Sequence, residues 1–281
     1  MSRLEEVLLL IEHIPPFPKV AQRVMDLLVD PNTTAMQLAE VIQFDAAITA
    51  NVLKICNAAY FGLPRKVSSL DEGLVVIGQD ILKDIIITSS SAKFFKGKVG
   101  GGYDLGDGEL WKHSVACGIM GKLLVGTVDG IDASSVFTAA LLHDIGKRFL
   151  STFIADDFER IVHLVQKEHL TFEAAEHEVV GIDHAKLGGI IFQKWGFPTD
   201  MKDAVENHHE PDALLQNDLT ALVALANAIV LSMGIGVGAN GLATVIDEGG
   251  LHRFGLDAER IQLYMVELFA EMEKAQELLN L

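Results

Sequence analysis

This chain has few cysteines, few aromatic residues and few positive charges, and each shortage narrows the class of protein. Its 281 residues include only Cys56 and Cys117, which stand far apart and form no CxxC motif. We therefore expect two reduced core thiols in a cytoplasmic protein. The first six residues are partly acidic and contain no long apolar core, so no secretory signal is expected. The net charge of -17 argues against nonspecific nucleic-acid binding, which depends on Lys and Arg meeting phosphates.

Aromatic residues make up 7% of the chain, whereas hydrophobic residues of all kinds make up 49%. The apolar fraction is large enough for a sizeable core, and the abundance of Ala, Leu, Val and Ile favours helices. No stretch alternates apolar and polar residues for long enough to predict a strand. We therefore predict an all-α protein, with a small N-terminal helical lobe packed on a larger helical core.

An uncharged run from Leu219 to Ile246 raises the question of a membrane span. The run exceeds the roughly 20 residues that a spanning helix needs, but polar residues and glycines interrupt it, and acidic residues flank it at Asp218 and Asp247. We predict a buried helix over about 219–233, followed by a glycine-rich loop, and no membrane segment. The loop matches GxGxxG at 236–241, but no predicted strand precedes it, so a dinucleotide site is not expected.

Breaks in the helical pattern divide the chain into four predicted parts. Residues 1–97 form a lobe of short helices and residues 98–108 a glycine-rich linker. Residues 109–235 form a core of longer helices, and residues 236–281 hold the glycine-rich loop and an amphipathic C-terminal helix. The prolines from Pro15 to Pro18 end the first helix. Capping residues predict later helix starts at Thr34, Asp45, Ser69, Asp183 and Pro198.

A group of chemically active residues follows an apolar run that ends at Leu142. His143 offers a neutral nitrogen to a metal ion, and Asp144 offers two oxygens that could bridge two ions. Gly146 is predicted to let the chain leave the helix in a left-handed conformation, and Lys147 places a cation where a phosphate would suit it. The alternative is an ordinary helix end whose histidine suits the helix dipole.

Other histidines fall on predicted inward faces of helices. His184 shares a face with Leu187 and Ile191, and His208 shares one with Val205. Burying several such groups without partners costs a few kcal/mol each, so either a metal ion or a hydrogen-bonded network must satisfy them. Imidazole and carboxylate ligands together suit iron, manganese or zinc. The candidate ligands are His113, His143, Asp144, His184, His208 and His209.

The remaining histidines lack this coincidence of position and are predicted to be surface or packing residues: His13, His163, His169, His177 and His252. Glu176 and Glu206 could support metal ligands, but a solvated helix surface is the favoured prediction for both. In the N-terminal lobe, Asn57, Tyr60 and Phe61 could contact a partner, although closing a helix is the simpler role for them.

The ordered set His113, His143-Asp144, His184 and His208-His209 resembles the HD superfamily of metal-dependent phosphohydrolases, and within it the HD-GYP branch. Other segments resemble a sister group, the HDOD domain, over about Ile14 to Met233. These segments are Pro15–Pro18, Ile48–Gly62, Ser68–Leu70 with Val76–Gly78, Asp183–Pro198 and Asn207–Pro211.

The resemblance implies a bacterial signalling protein with an HD-like site for one or two divalent ions. It implies a regulatory or interaction role through a signalling protein partner. The alternative that it implies is a phosphohydrolase acting on a nucleotide or cyclic nucleotide, in which Asp144 and Lys147 are catalytic and Lys147 holds the phosphate of a small phosphorylated ligand. Two departures weigh against catalysis. Asn227 stands where the HD pattern has a metal-binding aspartate; its amide oxygen is a seventh candidate ligand, but it brings no charge and should hold an ion more weakly. No Gly-Tyr-Pro follows His208-His209-Glu210.

Overall fold

The computed structural model describes residues 3–28, 30, 32–57, 66–67, 69–95, 99, 102–239 and 248–275. These residues form helices and turns and contain no strand, which confirms the predicted all-α fold. Tyr60 and Phe61 lie outside the described residues. Asn57 ends a helix and exchanges hydrogen bonds with the backbone of Val67 at 2.8 and 2.9 Å, in agreement with the simpler role predicted for it.

The helices follow one another closely along the chain. The first five are α1 (Arg3–His13), α2 (Lys19–Leu28), α3 (Ala35–Ile42), α4 (Ala46–Cys56) and α5 (Leu70–Phe95). The next five are α6 (Glu109–Leu124), α7 (Ala133–Leu142), α8 (Ile145–Lys167), α9 (Phe172–Val180) and α10 (His184–Trp195). The last four are α11 (Thr199–Asn207), α12 (Asp218–Ser232), α13 (Glu248–Arg253) and α14 (Ala258–Lys274).

The chain divides into two compact units. One unit contains Met1–Pro15 and Phe94–Leu268, and the other contains Pro16–Lys93 and Phe269–Leu281. The predicted division at residues 97, 108 and 235 stays a prediction.

Local signals in the sequence set several helix starts, as predicted. Thr34 and Gln37 form a reciprocal capping box at α3, and Asp45 caps α4 through the amides of Ala47 and Ile48. Each such cap stabilises a helix by about 1 kcal/mol. A kink lies inside α5 at Gly78, which has φ 78° and ψ 171°.

The first part of the uncharged run that raised the question of a membrane span forms α12, whose residues from Leu219 to Leu231 are all buried in the protein. Residues 240–246 of the run lie outside the described residues. The helix packs against α6, α7 and α11, so its apolar residues lie in the core of the larger unit. Of the helices that the structure describes, none is both long and apolar enough to cross a membrane.

One prediction about the centre of the chain was wrong. Gly146 is not left-handed and does not end a helix; it lies in the first turn of α8, which continues without a break to Lys167. Gly146 is required for another reason, because a Cβ atom there would lie 1.9 Å from the carbonyl oxygen of His184. The missing side chain lets α8 and the start of α10 touch.

Candidate metal centre

The site is built around the short turn between α7 and α8. His143 follows the buried α7, and Asp144 precedes α8 with φ -94° and ψ 13°, a sparsely occupied backbone region in which active-site residues are often found. Both side chains are fully buried. The contact between Gly146 and α10 brings His184, the first residue of that helix, against this turn.

Four imidazoles face the carboxylate of Asp144. On one side, Oδ2 lies 3.5 Å from Nε2 of His113 and 3.4 Å from Nε2 of His143. On the other side, Oδ1 lies 3.4 Å from Nε2 of His184 and 3.9 Å from Nε2 of His208. The four histidines come from α6, the α7–α8 turn, α10 and the end of α11. Asp144 thus stands between two pairs of nitrogens, as a bridging ligand would.

The opposite nitrogen of each of these rings is anchored. Nδ1 of His113 contacts the carbonyl of Ile235 at 3.0 Å, and Nδ1 of His184 contacts Glu176 at 2.7 Å. Nδ1 of His143 and Nδ1 of His208 each lie 2.7 Å from a carbonyl oxygen of the preceding helical turn, at Ala140 and Val205 respectively. A metal-binding histidine is typically held in this way, with one nitrogen donating to a fixed acceptor and the other directed at the ion.

The protonation states suit metal binding. Burial lowers the pKa of His113 to about 4 and also lowers the pKa values of His143, His208 and His209, so these rings are neutral at pH 7. Burial opposes the charge of Asp144, but nearby His143 and Lys147 outweigh it and hold the pKa of this carboxyl well below its usual range. Three of the four imidazoles around Asp144, and that of His209, are thus neutral beside a charged carboxylate, a set that is ready to bind a cation. The fourth, His184, has its pKa raised by Glu176.

Several polar atoms of the cluster are buried without a hydrogen bond. Within the described part of the chain, Nε2 of His143, Nε2 of His208 and Oδ1 of Asp144 have no hydrogen bond. Buried polar atoms of this kind are rare, and each calls for a partner such as an ion or water. Divalent cations fit this donor set, since imidazole nitrogens and carboxylate oxygens are ligands that they commonly bind. Oδ1 of Asn227, on α12, is likewise buried and without a hydrogen bond.

Lys147 and His209 complete the cluster. Nζ of Lys147 lies 2.7 Å from Oδ2 of Asp144, and its side chain is almost fully buried. Nε2 of His209 lies 3.1 Å from Nε2 of His184 and 3.4 Å from Oε1 of Glu173. At 15% and 20% exposure, the side chains of His209 and Glu173 are the part of the site nearest to solvent.

The structure therefore brings six of the seven predicted metal ligands together with Lys147. The candidate ligand atoms fall into two groups, and within each group they lie within 4.8 Å of one another. One group is Asp144, His184, His208 and His209; the other is His113 and His143 together with Cys117, which was not a predicted ligand. The seventh predicted ligand, Asn227, is buried on a helix that packs against α6, α7 and α11. The five histidines predicted to be surface or packing residues are all exposed: His13, His163, His169, His177 and His252.

The prediction for Glu176 was wrong, because its carboxylate is fully buried. It accepts hydrogen bonds from the ring and the backbone amide of His184 at 2.7 and 2.9 Å, and from the hydroxyl of Tyr103 at 2.5 Å. The other carboxylate, Glu206, does lie near the surface, paired with Lys202 at 2.5 Å.

Three neighbours of the cluster carried no prediction as site residues: Tyr103, Cys117 and Glu173. Sγ of Cys117 lies 3.4 Å from Nε2 of His113, and the spacing of four residues on one helix was a signal that could have placed it there. Burial raises the pKa of this thiol, so at neutral pH it remains protonated. Tyr103 and Glu173 lie in parts of the chain that show no such pattern.

The chain belongs to the HDOD domain family, whose model matches residues 14–211. Its sequence is 20% identical over 223 residues to an uncharacterized protein of Treponema pallidum (strain Nichols), covering 78% of this chain and 42% of that protein. The chain thus spans less than half the length of this relative.

Three solved structures share the fold of this chain. An HDOD domain protein of unknown function from Geobacter sulfurreducens aligns with TM-score 0.77 and 24% identity, covering 98% of this chain and 97% of the other. A protein of Marinobacter aquaeolei VT8, provisionally described as a signal transduction protein, aligns with TM-score 0.76 and 20% identity over 95% and 59% of the two chains. A provisionally described phosphohydrolase of Shewanella amazonensis SB2B aligns with TM-score 0.72 and 20% identity over 98% and 97%.

Proposed function

We propose that this protein is a cytoplasmic bacterial signalling protein whose HD-like cluster binds one or two divalent metal ions and whose main role is regulatory, through a protein partner. One observation carries the metal proposal: Nε2 atoms from four separate elements face the two oxygens of a single buried aspartate. A hydrogen-bonded network is the rival, but it would leave several of these atoms unpaired.

Charge within the cluster also favours a cation. Asp144 and Glu176 are fully buried carboxylates; Lys147 pairs with Asp144, and the ring of His184 pairs with Glu176. The carboxylate of Glu176 raises the pKa of His184 against the opposing effect of burial, so a proton at this ring offsets part of the negative charge. A divalent ion would replace that proton and take over its part in balancing the two carboxylates. Nitrogen and oxygen ligands together suit iron, manganese or zinc.

Burial of the cluster favours regulation over turnover. Asp144, Lys147 and the four histidines around them are at most 3% exposed, whereas a hydrolase must admit a phosphate to its metal ions. Asn227 brings no charge to the position where the family pattern has an aspartate. Both features suit a centre that stabilises one conformation of the protein.

The second candidate function is a metal-dependent phosphohydrolase acting on a nucleotide or cyclic nucleotide. The position of Lys147 supports it, since the ammonium group beside Asp144 could also hold a phosphate. A bound divalent ion would supply Lewis-acid polarisation of a phosphoryl oxygen. The residues proposed to hold that ion are His113, His143, Asp144, His184 and His208, while His209 would support an ion or the substrate and Asn227 would bind more weakly.

The metal content of the purified, untagged protein tests the first proposal. We expect one or two equivalents of iron, manganese or zinc, and a loss of metal in His143→Gln and in Asp144→Asn. His177→Gln is the matched control, because this histidine is exposed on α9, and it should retain the metal. Circular dichroism would verify that each variant is folded. A wild-type protein that takes up no metal after chelation and reloading would contradict the proposal.

Turnover separates the two candidate functions. Metal-loaded protein would be incubated with linear and cyclic phosphodiesters, and the products would be separated by chromatography. The regulatory proposal predicts no hydrolysis above that of Asp144→Asn. Hydrolysis in the wild type that disappears in Asp144→Asn and falls in Lys147→Met would instead establish the phosphohydrolase.

A further inference from the structure

A cavity of about 530 Å³ lies in the same unit as the metal cluster but outside it. Three apolar residues of α8 line it, Phe158, Val162 and Val165, and their spacing places them on one face of the helix. Leu170 and Phe172, from the turn after α8 and the start of α9, continue the apolar wall. The volume lies in the range of small-molecule sites, which combine apolar walls with a few polar groups.

The backbone around this cavity is unusual. Among the described residues, the non-glycine positions with positive φ are Asp104, at 52°, and His169, at 58°, and both line the cavity. Gly238, with φ 48°, lines it too, and a Cβ atom there would lie 2.5 Å from the carbonyl oxygen of Tyr103. Left-handed conformations are unfavourable for residues other than glycine, and where they persist they tend to cluster at ligand sites.

The polar groups of the cavity indicate the charge of its ligand. Asp104 contributes a carboxylate, Gln166 an amide and His169 an imidazole, and no lysine or arginine stands among the residues that line the cavity within the described ranges. The chain as a whole carries a net charge of -17. A phosphate or carboxylate would thus be repelled, whereas an amine would be attracted to Asp104. The apolar wall calls for an aromatic or branched aliphatic body.

Two contacts join the cavity to the metal cluster. On one side, the rings of Phe172 and Tyr103 lie 5.6 Å apart, and the hydroxyl of Tyr103 donates to Glu176, the carboxylate that holds His184. On the other side, the amide of Ala239 donates to the carbonyl oxygen of Tyr103 at 2.8 Å.

The segment that contains Ala239 also holds the first histidine of the cluster. Four residues earlier, the carbonyl of Ile235 is the partner of Nδ1 of His113. A ligand that moves either wall would therefore move an anchor of a metal-facing imidazole.

We propose that this cavity binds a small amphipathic amine, with its apolar body against α8 and its ammonium group at Asp104, and that its occupancy alters metal binding at the cluster. The binding site stands on the cavity alone, whereas the effect on metal rests on the proposed metal function.

Binding is tested with three indoles of similar size: tryptamine (a cation), 3-ethylindole (neutral) and indole-3-propionate (an anion). Saturation-transfer NMR and titration calorimetry on the full chain should show tryptamine binding with a dissociation constant on the order of 1 mM or below, as expected for a fragment-sized ligand. The neutral indole should bind more weakly and the anion more weakly still. No binding of tryptamine, or equal binding of the cation and the anion, would overturn the proposal.

Two variants place the ligand in the cavity. Asp104→Asn should weaken tryptamine binding by about two- to fivefold, the range of an exposed ion pair, and should leave 3-ethylindole unaffected. Asp107→Asn is the matched control, because this exposed aspartate lies three residues away and does not line the cavity. Val162→Trp, which fills the cavity, should weaken both indoles, and circular dichroism verifies its fold. Unchanged binding in both Asp104→Asn and Val162→Trp would overturn the assignment.

The rate at which a chelator removes metal tests the effect on the cluster. Saturating tryptamine should change this rate about fivefold or more in the wild type, a modest coupling between two sites. In Tyr103→Phe, which keeps the ring against Phe172 but loses the hydrogen bond to Glu176, the change should shrink. Equal rates with and without tryptamine would overturn the coupling. A protein that binds tryptamine but no metal would contradict the proposed function and support the ligand site.

Discussion

Glu176 and His184 form a buried pair in which one carboxylate oxygen contacts both the ring Nδ1, at 2.7 Å, and the backbone amide, at 2.9 Å. The two contacts fix the imidazole in position and direct its Nε2 at Asp144. The second oxygen of Glu176 accepts from Tyr103, so the carboxylate is itself held on both sides. Glu176 thus determines where one of the proposed metal ligands lies.

Replacing Glu176 by glutamine should weaken metal binding. The amide oxygen can still accept a hydrogen bond from the ring. It lacks the negative charge that raises the pKa of His184 and that makes the imidazole nitrogen a stronger ligand for a cation. We expect a 10- to 100-fold loss of metal affinity, the usual range for a residue that supports a ligand, measured by competition with a chromophoric chelator. Glu206→Gln, at a solvent-facing ion pair, is the matched control, and an equal loss in both variants would refute the special role of Glu176.

Gly146→Ala should destabilise the protein strongly. Its Cβ would lie 1.9 Å from the carbonyl oxygen of His184 and 3.1 Å from the amide nitrogen of Gly188, and backbone atoms cannot move aside as a side chain can. We expect the free energy of unfolding to fall by about 3 kcal/mol, as for severe overpacking, measured by urea denaturation.

Gly126→Ala provides the control for this substitution. Gly126 lies in the turn after α6, its φ is not positive, and a Cβ atom there would have no neighbour within 4 Å. The free energy of unfolding of the Gly126→Ala variant should differ from that of the wild type by no more than about 0.5 kcal/mol. Similar losses in the two alanine variants would show that Gly146 matters for a reason other than contact with α10.

The fold and most of the cluster could be predicted because both depend on local pattern. Apolar spacing along α10 and α11 places His184 and His208 inward, and a histidine beside an aspartate at the end of an apolar run is visible in the sequence itself. Gly146 could not be interpreted in the same way. In a sequence, a glycine that ends a helix in the left-handed conformation cannot be told from a glycine that allows two helices to touch. Only the position of α10 in the folded protein decides between these two roles.

The burial of Glu176 and its contact with His184 could not be predicted from the sequence for a related reason. It lies eight residues before His184, and the turn at Gly181, with φ 89°, brings the two side chains together. Neither residue's periodicity within its own helix contains that information. The surface prediction for Glu176 followed the usual behaviour of glutamate, which is buried only when paired, and the pair exists only in three dimensions.

Acid should destabilise the metal-free protein. Burial lowers the pKa of His113 to about 4, below the value of about 6.5 for an unfolded chain. Between these values the unfolded chain binds a proton that the folded protein excludes, so stability falls as the pH falls from 6.5 toward 4. His143, His208 and His209 shift in the same direction, whereas His184 shifts in the opposite one.

The contribution of His113 can be isolated by urea denaturation of chelator-treated protein at pH 7 and at about pH 4.5. The wild type should lose stability between these two conditions, and roughly 2 kcal/mol of that loss should disappear in His113→Gln. The comparison is between pH values for each protein, so any constant cost of the substitution cancels. An identical loss in the variant would show that His113 does not titrate in this way.

Asn227→Asp should have opposite effects with and without metal. The amide oxygen of Asn227 is buried and has no hydrogen bond within the described part of the chain, so a carboxylate there would be an unpaired buried charge in the metal-free protein. Such a charge is strongly destabilising, and we expect a lower Tm after chelation. With metal present, a charged ligand should bind the ion more tightly than the amide does, and the rise in Tm on adding metal should exceed that of the wild type.

Thermal unfolding of both proteins with chelator and with added manganese or zinc measures the two effects. If the variant loses stability equally in both conditions, Asn227 is a core residue rather than part of the metal centre, and the departure from the family pattern at this position would have no bearing on metal affinity.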